Sequence, residues 1–195
     1  MPLREELRGI GERMIHFLDA GGDPPFVVYP YLPTLEWQVR RDLTELERWL
    51  QSPPRRATCV AISLAQLFWE ALEESGFLEE LVAQERRGEG NSSLLANLTE
   101  AVGEVLRQPP TLPDRVIAAS SSVTGRAIII LYRAGALYPA YRTSTLLDDL
   151  HGRLTRPVLL AYPGRLVGEY GLSFMDRSEP AYGYRALIVP REVPT

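Results

Sequence analysis

The sequence predicts an α/β fold: a mostly parallel open sheet of about five strands flanked by helices, P-loop-like or Rossmann-like in topology but without a Walker A motif. Three observations predict it. Short continuous apolar runs, as in "RAIIILYRA" (126–134), have the length and composition of strands buried on both faces. Between them lie segments whose apolar residues recur at helical spacing. Proline and glycine clusters punctuate the joins. Buried strands alternating with helices imply a sheet covered on both faces.

In chain order, Leu3, Leu7, Ile10, Met14 and Phe17/Leu18 mark an amphipathic helix to about Asp19, ended by "AGGDPP". "FVVYP" (26–30) is the first strand. A helix follows with Thr34 as N-cap and an inward stripe of Leu35, Val39, Leu43, Leu46 and Leu50, until Ser52-Pro53-Pro54 stops it. "ATCVAIS" (57–63) is the second strand. Leu64–Ser75 and Phe77–Arg87 read as helices broken at Gly76.

"GEGNSS" reads as a loop, with Ser92 or Ser93 capping a helix to about Arg107. The stretch Arg115–Ser121 has no clear assignment. "RAIIILYRA" is the third strand. "STLLDDLHG" is a short helix, in which Thr145 and Asp148 have capping-box spacing and Gly152 marks the end. "PVLLAYPG" (157–164) and "RALIVP" (185–190) complete the strands.

Three apolar stretches end in Tyr-Pro, at 29–30, 138–139 and 162–163. Proline cannot donate a ladder hydrogen bond, which suits it to the place where pairing stops. The functional alternative is an aromatic rim around a cleft or partner surface, on the edge where open α/β sheets bind ligands.

The 195 residues fit one domain, with helix 3–19 packed on it. Such a chain can bury roughly 70% of its unfolded surface, so it needs no covalent staples. A net charge of −4 argues against bulk attraction to nucleic acid or anionic membrane. All 21 basic residues are arginine. Without lysine there is no Walker A phosphate lysine and no Schiff-base lysine. Cys59, the one cysteine, allows no intrachain disulfide and lies in an apolar run, as expected of an inert buried thiol. The start lacks a signal-peptide core, and no stretch of about 18 apolar residues occurs, so the expectation is a cytoplasmic protein without membrane spans.

The loop after the first strand, "YPYLPTLEW", has neither the glycines nor the lysine of a phosphate cradle. A G-x-G-x-x-G fingerprint is absent, and "GLSFM" (171–175) fails the nucleophile-elbow pattern at its fifth position. His16 and His151 have no metal partner at helical spacing and read as surface or packed residues. Asp148 and Asp149 are adjacent and diverge on a helix. Asp114, Glu169 and Asp176 show no spacing that demands a metal. These readings assign no catalytic residue, metal or cofactor.

Arg142-Thr143-Ser144-Thr145 opens a helix, where free N–H groups favour an anion. Arg142, Ser144 and Thr145 are therefore anion-binding candidates, weighed against a capping turn with an unrelated surface arginine. Arginine pairs at 40–41, 55–56 and 86–87 are mixed with glutamates and read as solvated faces. Seven of nine tyrosines fall between Tyr132 and Tyr184, several beside arginine, as in "YR" at 141–142 and 184–185. Tyr and Arg are enriched at interface hot spots, so Tyr138, Tyr141, Arg142, Tyr162, Arg165, Tyr184 and Arg185 are partner-contact candidates. Core or sheet-edge packing is the alternative.

At these residues the chain resembles a known family. The stretch from "LYRAGALYPAYRTSTLLDDL" through "LLAYPGRL" to "AYGYRALIV" is similar to the BrxB proteins of BREX (bacteriophage exclusion) defence systems. The shared pattern is a Gly-Ala-Leu-Tyr-Pro turn (Gly135–Pro139), an Arg-x-Ser-x-Leu-Leu helix start (Arg142–Leu147), a strand ending in Tyr-Pro-Gly (Tyr162–Gly164) and a late Tyr-Arg (Tyr184–Arg185). Leu160-Ala161 stand where the family more often has aromatic residues. The resemblance implies a cytoplasmic anti-phage component working beside a large ATPase, an alkaline-phosphatase-like protein and an adenine-specific DNA methyltransferase. It carries over no catalytic residue. The implied role is a non-catalytic adaptor that meets DNA only through its complex, with self-association open. The rival expectation is a nucleotide- or anion-binding sensor or enzyme using the strand-end edge of the sheet.

Overall fold

The computed structural model describes residues 3–86 and 92–192. The predicted loop from Gly88, the Ser92 or Ser93 cap and the Arg86-Arg87 pair lie outside the described residues and side chains. The elements are α1 (Glu5–Ala20), β1 (Phe26–Tyr31), α2 (Glu36–Gln51), β2 (Thr58–Ser63), α3 (Leu64–Glu74), α4 (Phe77–Arg86), α5 (Ser92–Arg107), α6 (Leu112–Ser120), β3 (Ala127–Tyr132), α7 (Thr143–Leu150), β4 (Val158–Val167), β5 (Gly171–Phe174) and β6 (Leu187–Ile188).

Five strands run parallel in the order β2-β3-β4-β1-β6. The sequence reading lacked β5, which pairs antiparallel with the far end of β4 as a hairpin. The apolar runs are continuous because both faces are covered. Ile128 and Ile130 of β3 meet Leu7, Met14, Leu46 and Leu50 of α1 and α2. Ile129 and Leu131 face the other way, onto Leu64, Leu112, Val116 and Leu146 of α3, α6 and α7. The three isoleucines are at most 2% exposed, and each contributes about 1.5–3 kcal/mol by burial.

The Tyr-Pro dipeptides do not simply terminate strands. Pro30 sits opposite Tyr162, and Tyr31 opposite Pro163, within the β1–β4 ladder. Proline acts on one side only. Val189 and Arg191 donate to the carbonyls of Val28 and Pro30, but Pro30 has no N–H to return. The β6 ladder accordingly lapses after Ile188. Tyr138-Pro139 lies beyond β3, after a 3-10 turn at 134–137.

Helix starts also differ from expectation. Thr34 lies in a 3-10 turn, and no side chain caps α2. Thr145–Asp148 is not the capping box; α7 begins at Thr143 with Arg142 at its N-cap and no side-chain cap. The capping box belongs to α6, the stretch left unassigned, where Thr111 and Asp114 exchange hydrogen bonds. Gly76 (φ +71°) separates α3 from α4 as predicted.

The Arg153 guanidinium, then the Thr111 hydroxyl and N–H, hold the Asp114 carboxyl down at about 2. A carboxyl depressed on folding stabilises above its ordinary pKa, and that stabilisation is lost as pH falls through the folded value. The wild type should therefore lose more melting temperature between pH 4 and pH 2 than Asp114→Asn. Parallel losses in the two melting series would show that the cap carries no such linkage.

A cavity built from four segments

β1 leads to α2 on one face of the sheet, whereas the chain after β4 packs on the other. Such a divergence opens a crevice at the carboxyl edge. A hollow of about 330 Å³ lies there, lined by Trp37, Arg40, Arg133, Pro163 and Met175 among others. Trp37 is 72% exposed, with the Arg40 guanidinium 4.8 Å from its ring centroid. Arg133 adopts a left-handed conformation immediately after β3.

A second cavity, also about 330 Å³, lies on the face of α7. All four segments that carry the family resemblance reach it. Tyr138 and Pro139 come from the turn after β3; Arg142, Thr143 and Ser144 from the start of α7; Tyr162 from β4; and Tyr184 from the segment before β6. Phe174 of β5 and the strap Ser178–Ala181 complete the wall. The strap is held by paired backbone bonds between Leu172 and Ala181, and by Ser178, whose Oγ accepts from Phe174 N–H at 2.7 Å. Its approach turns through Met175 and Asp176, both at positive φ.

The walls are aromatic. Tyr162 lies 5.3 Å from Phe174 and meets Tyr184 edge-on at 6.0 Å, while Tyr138 meets Phe174 edge-on at 5.6 Å. Thr143 Oγ1 and the Tyr184 hydroxyl share a hydrogen bond of 3.1 Å. Tyr162 is fully buried, and its hydroxyl is the buried side-chain polar atom without a hydrogen-bond partner among the described residues. Burial first, then the neighbouring Tyr184 hydroxyl, pushes the Tyr162 phenol up; the two hydroxyls nevertheless lack hydrogen-bond geometry. Tyr141 is also buried, with its phenol pushed up to about 12 by burial and by Asp149, against the opposing Arg107 guanidinium.

Of the residues singled out from sequence, Tyr138, Tyr141, Arg142, Ser144, Tyr162 and Tyr184 thus line one cavity. Thr145 is exposed and does not line it. Arg165 is exposed on the hairpin and paired with Asp176; Arg185 is exposed, and its carbonyl bonds His151 Nε2 at 2.6 Å. Tyr162 has no exposed surface to offer a protein partner, so its place is in the cavity wall rather than on a contact surface. The same burial removes most of Tyr141 from the surface.

His16 is exposed on α1, and His151 is packed, stacked on Phe26 at 3.9 Å. Asp114 and Asp176 are paired with different arginines. Among the described residues no group of three His, Cys, Asp or Glu side chains could hold a metal ion. The Cys59 thiol is pushed up to about 12 by burial and then by Glu47. Arg40 lies over Trp37 and Arg55 over Trp49. No described helix is long and apolar enough to cross a membrane.

Sequence reasoning missed Phe174, Glu179, Tyr170 and Tyr182. The available signal was "VGEYGLSF": a turn followed by alternating Leu172 and Phe174, the pattern of a half-buried hairpin strand.

A protein-family model described as BREX protein BrxB matches residues 60–189, two thirds of the chain. A curated protein named BREX protein BrxB, from Bacillus cereus (strain H3081.97), is 25% identical over 167 residues, covering 85% of this chain and 83% of that protein. The family match spans the whole cavity and its four segments, and on that match the chain belongs to the BrxB family.

Proposed function

We propose that this chain is a non-catalytic assembly subunit of a BREX anti-phage complex, binding the large ATPase or the alkaline-phosphatase-like subunit in the cytoplasm. DNA and the methyltransferase are reached only through that complex. The observation that carries the reading is where the exposed apolar side chains lie. Of eight large hydrophobic residues exposed among the described residues, four (Val167, Tyr170, Tyr182 and Leu187) fall on the β4–β5 hairpin and the stretch that runs from it into β6. Tyr170 and Leu187 line one groove, and Gly171 makes room for the Tyr182 ring. Arg165 and Arg185 are exposed on the same part of the chain. Exposed tyrosines beside arginines are the composition of interface hot spots. Tyr184 lines both this groove and the second cavity, where Tyr138, Tyr141, Arg142 and Tyr162 also lie.

The test is co-purification of the tagged chain with co-expressed BREX proteins in moderate salt. The double variant Tyr170→Ser/Tyr182→Ser should lose capture, since a hot-spot residue is worth about 2 kcal/mol or more, roughly 30-fold in affinity. Both side chains are two-thirds exposed, so the melting curve should not move. Undiminished capture by a folded double variant would remove the hairpin from the interface. Recovery of the chain with itself alone would replace the adaptor by a homo-oligomer.

A second reading, a sensor of a small anion, is favoured by the unpartnered Tyr162 hydroxyl.

A further inference from the structure

The second cavity combines three features that agree on one kind of ligand. The first is an uncapped helix. α7 starts without a side chain on its first-turn N–H groups, and those of Thr143, Ser144 and Thr145 have no intrahelical partner by geometry. Arg142 precedes them, exposed, and both Arg142 and Ser144 line the cavity. A helix start of this kind, with an arginine, suits a phosphate or carboxylate.

The second feature is independent of the helix. Tyr162 comes from β4, is fully buried, lines the cavity and has an unpartnered hydroxyl. A buried hydroxyl without a partner loses free energy that a ligand's acceptor atom restores. Its raised pKa keeps the proton on, so it is available as a donor.

The third feature is the body of the cavity. Tyr138, Phe174 and Tyr184 present aromatic surface, and Glu179 stands on the strap with its carboxylate as an acceptor. At about 330 Å³ the space is at the small end of ligand sites. A planar ring with N–H donors fits those walls. The Glu179 charge disfavours a long polyphosphate.

We propose that this cavity binds a nucleoside monophosphate, with its phosphate at the α7 start against Arg142 and the Tyr162 hydroxyl, and its base among Tyr138, Phe174 and Tyr184. The inference does not rest on the adaptor reading: Tyr170 and Tyr182, which test that reading, do not line this cavity.

The experiment is calorimetric titration of the full chain with AMP, GMP, CMP and UMP, beside inorganic phosphate, the free nucleosides and ATP. At least one monophosphate should bind saturably below about 1 mM. Its nucleoside, phosphate alone and ATP should each bind at least tenfold more weakly. Tyr162→Phe removes only the hydroxyl and Arg142→Gln only the charge; each should weaken binding tenfold or more. The melting temperature of ligand-free Tyr162→Phe should stay level or rise, because no protein partner is lost. Four silent monophosphates would overturn the proposal. So would phosphate binding as tightly as the nucleotide, binding indifferent to both variants, or a lower melting temperature for Tyr162→Phe.

Discussion

Replacing Arg191 by alanine is expected to destabilise the protein by about 3–5 kcal/mol. Asp42 sits on the inward stripe of α2, beside Val39, Leu43 and Leu46, and is 2% exposed. Its carboxylate is met by the Arg191 guanidinium, whose side chain is 7% exposed and also reaches Gln38. Arg191 is held in place by its own N–H on the Pro30 carbonyl, 3.0 Å away. The pair therefore ties the end of the described chain to α2 across β1. Removing the guanidinium leaves a carboxylate on a packed helix that cannot turn to water. Removing the carboxylate instead leaves an arginine whose long side chain can turn its head out to water, so Asp42→Ala should cost less than Arg191→Ala. Replacing both, Asp42→Leu with Arg191→Met, should recover most of the loss, because desolvating the pair opposes its attraction. Urea denaturation of the four proteins measures each of these changes. An Arg191→Ala loss below about 1 kcal/mol would mean that the pair is solvated and weak.

That pair marks where sequence reading stopped. The stripe on α2 was legible from spacing, but Asp42, three after Val39 and four before Leu46 on the same side of the helix, was not read as part of it. Its partner, 149 positions away, was not legible, because no local rule connects the two. The parallel sheet was legible because Ile128–Ile130 and Leu159–Leu160 are apolar on both faces. The Tyr-Pro pairs misled because proline interrupts hydrogen bonding on one side of a strand only, and the chain continues to pair on the other. The capping box was assigned to Thr145 and Asp148 by spacing alone. Thr111 and Asp114 have the same spacing with Pro113 inside the first turn, a stronger start signal. The cavity was half legible. The resemblance picked out four segments that converge on it, but the direction of each tyrosine ring depends on strand register. Only the pairing of Pro30 with Tyr162 puts the Tyr162 ring on the α7 side and leaves Tyr29 on the α1 side, where its hydroxyl reaches Glu6 at 3.2 Å.

Gly164→Ala is expected to cost about 3 kcal/mol or more, the upper end for forcing extra volume into a packed site. The backbone conformation of Gly164 does not require glycine; the space does. A Cβ there would lie 2.2 Å from the Ser173 carbonyl oxygen and 2.4 Å from Tyr162 Cε1. Gly164 pairs with Phe174 in the hairpin, so the methyl can be admitted only by parting β4 from β5 or by swinging the Tyr162 ring. Either movement opens the cavity wall, because Tyr162 and Phe174 are both in it. The near-ultraviolet circular dichroism of the tyrosines should weaken together with the loss of stability. Gly9→Ala supplies the contrast within the same chain. Gly9 lies in α1 with nothing within 4 Å of its added Cβ, so alanine there should stabilise by about 0.5–1 kcal/mol. The same substitution thus takes opposite signs at two positions, decided by what the new methyl meets. If Gly164→Ala melted at or above the wild-type temperature, β4 and β5 would be farther apart than their paired register requires. The hairpin that closes the cavity, and with it the nucleotide site, would then have to be redrawn.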